Sequence, residues 1–206
     1  AMSNLNSTQR NLTKTFNRIS SGLRINSASD DAAGLGMAES LDSETRSLRQ
    51  AQRNTHDGIS VVQTAEGATD EVGDIIKRMR ELATQSSSET LANTERAYIQ
   101  TEFTELSAEV DRIANITEFN GIALANAAGS LNVQVGAHGT GDDRIAITTS
   151  DLRATALQVD GGNVSLSSAA SAQAALSTLD TALVSVNDSR SKYGAVQNRL
   201  ESALNN

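Results

Sequence analysis

From Leu176 to Leu204 the chain carries Leu176, Leu179, Leu183, Val186, Arg190, Tyr193, Gln197, Leu200 and Leu204, at spacings that alternate three and four throughout. That rhythm puts all of them on one seam of a helix, and such a seam is buried only against another helix. Arg190 and Gln197 interrupt its apolar character, and polar seam residues can fix register at some cost in stability. Leu5, Leu12, Phe16, Ile19 and Leu23 obey the same rule near the other end, at intervals of seven, four, three and four. Both ends therefore call for a helical partner. The absence of proline from all 206 residues suits long helices, because an interior proline costs about 3 kcal/mol.

Between these ends the periodicity predicts a long helix from about Ala32 to Gln85, with Ile59, Val62, Val72, Ile75, Ile76, Met79, Leu82 and Ala83 mostly on one face. If continuous it would run on the order of 80 Å. Gly34, Gly36, Gly58, Gly67 and Gly73 each weaken it by roughly 1 kcal/mol against alanine, so packing has to compensate. Ser86 to Ala92 reads as a polar turn, with Asn93 as the N-cap of a second helix and Glu95 well placed for its dipole. Ile99, Phe103, Leu106, Val110 and Ile113 mark that helix, which ends before the turn dipeptide Asn120-Gly121. From Ser130 to Thr149 the period changes to two: Leu131, Val133 and Val135, then Ile145 and Ile147, predict a β-hairpin. Ala156 to Val159 is a candidate further strand, and Asp160 to Asn163 turns the chain toward the last helix. The expected fold is mainly α: an elongated antiparallel helical rod or coiled-coil bundle with a small β-hairpin region.

Aromatic residues make up only 2% of the chain and apolar residues 38%, which favours thin helical layers over a thick core. The net charge of −8 disfavours nucleic-acid binding, which needs clustered Lys and Arg. No apolar run approaches the roughly 18 residues of a membrane span, and no signal-peptide pattern opens the chain. Ala1-Met2 has the look of a cloning remnant. The absence of cysteine removes disulfide and thiol chemistry.

Catalytic chemistry finds little to work with. His56 and His138 each lack a second histidine at metal-binding spacing, and the expected role of both is as solvated surface residues. Gly34-Leu35-Gly36 opens a helix like a phosphate-binding turn, but no strand precedes it and Glu39 stands where the third glycine belongs. Gly141-Asp142-Asp143 lacks calcium-loop spacing and reads as a hairpin tip. Asp30 and Asp31, just ahead of a helix, suit N-terminal capping better than acid–base work. Lys77-Arg78-Met79-Arg80-Glu81 reads as a solvated helix face with local ion pairs. No enzyme activity, cofactor or metal is expected.

One segment is polar without being catalytic. Ser20 to Gly34, SSGLRINSASDDAAG, joins two helical patterns and carries neither a nucleophile–base pair nor a ligand cluster. It reads as a connector. The same segment resembles the N-terminal signature of bacterial flagellins. Asn54 to Ser60, Gln63 to Ala68, Arg78 to Gln85, Thr117 to Gly121, Leu131 to Gly136 and Tyr193 to Leu200 resemble that family's later motifs, in the family's order.

The resemblance implies a structural subunit of the flagellar filament, exported through the flagellar type III apparatus without a cleavable signal peptide and polymerised outside the cell for swimming motility. Residues 1–21 resemble the later part of an inner-tube helix and 22–34 the assembly connector, with Gly22, Leu23, Arg24, Asn26, Asp30, Asp31 and Gly34 as its marked positions. Residues 35–168 and 169–206 resemble the two parts of the core rod. The C-terminal tube helix and the large variable outer domain of many relatives are missing from this sequence, so the chain is not expected to form normal filaments by itself. Implied partners are other flagellin subunits, an export chaperone, and cap and junction proteins, with neither nucleic acid nor membrane insertion. In flagellins detected by Toll-like receptor 5, the positions matching Arg78, Leu82 and Glu102 contact the receptor. The alternatives are a hook–filament junction protein, and a flagellin-like surface protein that binds glycans through a groove built from Phe16, Tyr98, Phe103, Phe119 or Tyr193.

Overall fold

The computed structural model describes Met2 to Asn206. Four helices, α1 (Met2–Ser21), α2 (Ala32–Ser86), α3 (Asn93–Ile116) and α4 (Ala169–Asn205), accompany two small antiparallel strand pairs, β1 (Glu118–Phe119) with β2 (Ile122–Ala123) and β3 (Gly129–Gln134) with β4 (Arg144–Thr149). The chain divides into two compact units, one up to Gln50 and one from Ala51 to Asn206. The division falls within α2 because that helix begins to bury side chains only at Ala51.

In the first unit, α1 stops where Gly22 takes a left-handed φ of 68°, a conformation that costs glycine nothing. Its apolar stripe is exposed: Leu5, Leu12, Phe16 and Ile19 each keep about two thirds or more of their surface in water. Met37, Leu41 and Leu48 on α2 are exposed as well.

The second unit holds the core. Along α2 a buried seam runs Ala51, Thr55, Gly58, Val62, Ala65, Thr69, Val72, Ile76, Met79, Ala83 and Ser86 in an unbroken alternation of four and three, with Gly73, Ile75 and Leu82 buried beside it. Small residues fill much of this seam, so a neighbouring backbone can approach closely. The Thr55 and Thr69 hydroxyls donate to the carbonyls of Ala51 (2.8 Å) and Ala65 (2.7 Å) one turn back, which satisfies them without a partner helix.

The pairing of α2 with α4 is antiparallel. Arg80 Nε donates to Asp180 Oδ1 at 2.6 Å and Arg190 reaches Asp70 at 2.9 Å, so α4 descends in number as α2 ascends. Its buried seam is Ala172, Ala175, Leu179, Ala182, Val186, Ser189, Tyr193 and Leu200. This corrects the seam expected from the sequence. Leu179, Val186, Tyr193 and Leu200 are common to both, but Ala175, Ala182 and Ser189 take the inward places expected for Leu176, Leu183 and Arg190. Leu176 and Leu183 pack half-buried on the flank. The reason is distance: a helix held close to α2 has room at its centre for alanine and serine, and leucine moves to the shoulder.

A hairpin joins α2 and α3, which packs Ile99, Phe103, Val110 and Ile113 into the same core as Ile76, Met79, Leu82 and Leu179. Each large aliphatic or aromatic side chain buried there contributes about 1.5–3 kcal/mol. Asn93 is not the cap of α3. Ala92 holds that place, and Glu95 reaches back to accept from the Ala92 backbone N–H at 2.9 Å.

Asn120 (φ 51°) and Gly121 (φ 77°) make the tight turn between β1 and β2, as a two-residue hairpin loop with both φ positive requires. In the second pair Leu131 lies opposite Ile147 and Val133 opposite Ile145. Ile145 and Ile147 bury against Val62, Tyr193 and Leu200. The candidate strand at Ala156–Val159 is instead a turn, with Leu157 N donating to Arg153 O and Val159 N to Ala154 O. Among the described residues no strand pairs with it, and its Leu157 and Val159 bury directly into the helical core.

Candidate assembly and contact surfaces

The connector is shaped by two aspartates with different duties. Asp31 Oδ1 accepts from the Gly34 N–H at 2.9 Å while its carbonyl takes the Leu35 N–H at 3.0 Å. That is N-capping of α2. Gly34 is needed beside it, because a Cβ there would stand 2.8 Å from Ile25 Cδ1 and collide with the Asp31 carboxylate.

Asp30 turns the other way. Its side chain is only 7% exposed and its Oδ1 faces Lys14 Nζ at 3.5 Å and Arg18 Nη2 at 3.7 Å on α1. Burial pushes the Asp30 carboxyl up, but the Asn26 backbone N–H, Lys14 and Arg18 together hold it below its ordinary value. Both cations lie on the side of α1 opposite the Leu5–Leu12–Phe16–Ile19 stripe, by helical geometry. The remaining marked positions, Leu23, Arg24 and Asn26, are exposed.

On the second unit two of the three expected receptor positions, Arg78 and Glu102, come together and Leu82 is set apart. Arg78 donates from Nη2 and Nε to Glu102 Oε1 at 2.8 and 3.1 Å, and from Nη1 to Glu81 Oε2 at 2.9 Å. Glu102 first, and then Glu81, make the Arg78 guanidinium hold its proton more tightly. This pair is half-exposed and joins α2 to α3. Leu82 is not beside it on the surface. It is 1% exposed and packs among Met79, Ile99 and Phe103, so the expected surface anchor is a core residue. Of the charged run 77–81, Lys77 pairs locally with Asp74, but Arg78 and Arg80 both bridge to other helices and Met79 is fully buried.

A residue that the sequence reading passed over closes the top of this hairpin. Arg96, 6% exposed, donates to the carbonyls of Ser86 (3.1 Å), Ser88 (2.6 Å) and Leu91 (2.8 Å) and to Asn93 Oδ1 (3.3 Å). Its guanidinium thus satisfies carbonyls left over at the end of α2. A signal was there to read: a cation in the first turn of α3 opposes that helix's own dipole, so it needs another reason to be there.

His56 and His138 are exposed. Among the described residues, no three His, Cys, Asp or Glu side chains gather where they could hold a metal ion, and no helix is long and apolar enough to cross a membrane. Phe103 and Tyr193 are fully buried in different core clusters, Phe16 and Tyr98 are exposed, and Phe119 borders a cleft of about 430 Å³ that Asn54, Asp57 and Asn132 also line.

Close-packed antiparallel helices, an exposed apolar stripe and a structured connector define a helical assembly subunit. Similarity to characterised proteins narrows this further. Residues 1–130 match the bacterial flagellin N-terminal helical region. A flagellin of Halalkalibacterium halodurans is 43% identical over 196 residues, covering 94% of this chain and 71% of that protein. A 30.7 kDa flagellar filament core protein of Treponema maltophilum is 39% identical over 198 residues, covering 90% and 70%. The crystal structure of Bacillus cereus flagellin superimposes with a TM-score of 0.64 at 31% identity, covering 75% of this chain and 88% of that one. The chain belongs to the bacterial flagellins, the structural proteins that polymerise into the flagellar filament.

Proposed function

We propose that this chain works as an exported filament subunit whose two units have separate tasks. The second unit is the preformed body of the subunit. The first carries α1, whose apolar stripe is completed by helices of neighbouring subunits. The observation that carries this reading is the stripe itself: Leu5, Leu12, Phe16 and Ile19 fall within a narrow arc of one helix and stand in water. So narrow a stripe suits a helix–helix seam. Export through the flagellar type III route, with its chaperone, and contact with cap and junction proteins belong to the same reading. Asp30 and Asp31 hold the connector between the stripe and α2. Phe16→Asp combined with Ile19→Asp is expected to abolish incorporation of the chain into filaments while leaving its helical circular dichroism and thermal unfolding nearly unchanged. Incorporation at the unsubstituted level would end this reading.

The second unit further supplies the surface for Toll-like receptor 5. The support is the half-exposed Arg78–Glu102 pair, which presents both charges on one bridge between α2 and α3. Leu82 acts from beneath, by packing the two helices that carry them. Arg78→Ala with Glu102→Ala should weaken receptor binding at unchanged thermal stability, whereas Leu82→Ala should first lower stability, by about 2–5 kcal/mol. Receptor binding unaffected by the double substitution would remove the assignment.

A further inference from the structure

We infer that Arg96 is the positioning residue that sets the register of the α2–α3 hairpin and so brings Glu102 to Arg78. Its consequence for receptor contact rests on the reading above; the geometric claim stands apart from it. A guanidinium is a rigid planar fork with five donors. Here the fork reaches backwards from the first turn of α3 and grips the last carbonyl of α2, two carbonyls of the intervening turn and the Asn93 side chain.

Among the described residues these bonds run to carbonyl and amide oxygens and to no carboxylate. The negative ends of backbone dipoles receive the charge instead, and the C-terminus of a helix favours a cation. The grip at Ser86 O therefore fixes where α3 starts relative to where α2 stops. From that fixed point, eight residues back along α2 lie Arg78 and six residues on along α3 lies Glu102, and the two side chains meet at 2.8 Å. Apolar packing alone is less exacting, because the methyl and ring surfaces of Leu82, Ile99 and Phe103 carry no directional bonds. Directional bonds at the turn select one register.

The test compares Arg96→Met, Arg96→Lys and the unsubstituted chain by two readouts: hydrogen exchange of backbone amides in 86–92, and nitrogen-detected exchange of the Arg78 Nε–H. The inference expects faster amide exchange in the turn for Arg96→Met and, with it, Arg78 Nε–H exchange accelerated about tenfold, the loss of a charge-assisted hydrogen bond. Arg96→Lys keeps the charge with fewer donors and should recover part of both. If the turn loosens while Arg78 Nε–H is unchanged, Arg96 merely seals the turn and the inference is overturned. It is equally overturned if neither readout moves.

Should Arg96→Met fail to fold, Arg96→Lys and Asn93→Ala, which removes one exposed acceptor of the grip, carry the same comparison; an Arg78 signal unchanged in both contradicts the inference. The receptor reading is judged separately, by the Arg78→Ala, Glu102→Ala chain. Its failure leaves the Nε–H result standing.

Discussion

Gly58 on α2 lies against Leu200 on α4: a Cβ at residue 58 would stand 3.5 Å from Leu200 Cδ1 and only 3.0 and 3.2 Å from the two methyls of Val133 on β3. Three elements thus converge on a point where even a Cβ would press Val133 aside by a few tenths of an ångström. Gly67, about two and a half turns further along the same helix, faces open space. The pair separates packing from backbone entropy. Gly58→Val should destabilise by about 1–3 kcal/mol through overpacking, while Gly67→Ala should stabilise by about 0.5–1 kcal/mol. Urea unfolding followed by circular dichroism measures both, and equal effects at the two positions would refute the close approach of α2, α4 and β3.

How much of this was legible beforehand differs from element to element. The stripe on α1, the Asn120-Gly121 turn and the alternation in β3 and β4 were readable because large apolar residues or obligatory turn residues mark them. The inner seams of α2 and α4 were readable at their larger apolar positions, such as Val62, Val72, Ile76, Met79, Leu179 and Leu200, but not at their small and polar ones. Thr55, Thr69 and Ser189 occupy buried seam positions, yet each hydroxyl donates to a carbonyl one turn back in its own helix, so burying them violates no rule that apolar counting can detect. Conversely Leu176 and Leu183 advertise a seam that alanines occupy. Arg78 and Leu82 share a sequence motif and a helix face by spacing, but the approach of α3 decides that one is half-exposed and the other buried. In the turn at residues 86–96 the bonds of Arg96 run mainly to backbone atoms, so a cation misplaced for its own helix dipole is the one mark they leave in the side-chain identities.

Acid should weaken the second unit. Asp180 is held below the ordinary carboxylate range by the hydrogen bond from Arg80, Asp74 by Lys77, Glu109 by Arg112 and Asp151 by Arg153. A carboxylate lowered in the folded state contributes stability that is complete above its unfolded value, about 4, and is lost as pH falls through the folded value. The melting temperature is therefore expected to hold between neutral pH and about pH 5 and to fall below about pH 4. Because these pairs are largely exposed, high salt at neutral pH should remove part of the same contribution. A melting temperature that rises on acidification would contradict the signs.

The connector has its own test. Gly34→Val drives a side chain into Ile25 and the capping carboxylate of Asp31, so hydrogen exchange over 22–35 should accelerate. Gly36→Ala, one residue beyond its neighbour and facing open space, should leave it unchanged. Identical exchange in both variants would mean that the Asp31 cap does not organise this segment.

The central claim is that α1 is an unfinished seam completed by neighbouring subunits. Hydrogen exchange across residues 2–21, measured for the chain free in solution and for the chain incorporated into filaments alongside a full-length flagellin, tests it most directly. The account predicts strong new protection along Leu5, Leu12, Phe16 and Ile19 on assembly, with little change along the already buried seam from Ala51 to Ser86. Assembled chains in which α1 exchanges as fast as in the free chain would contradict it.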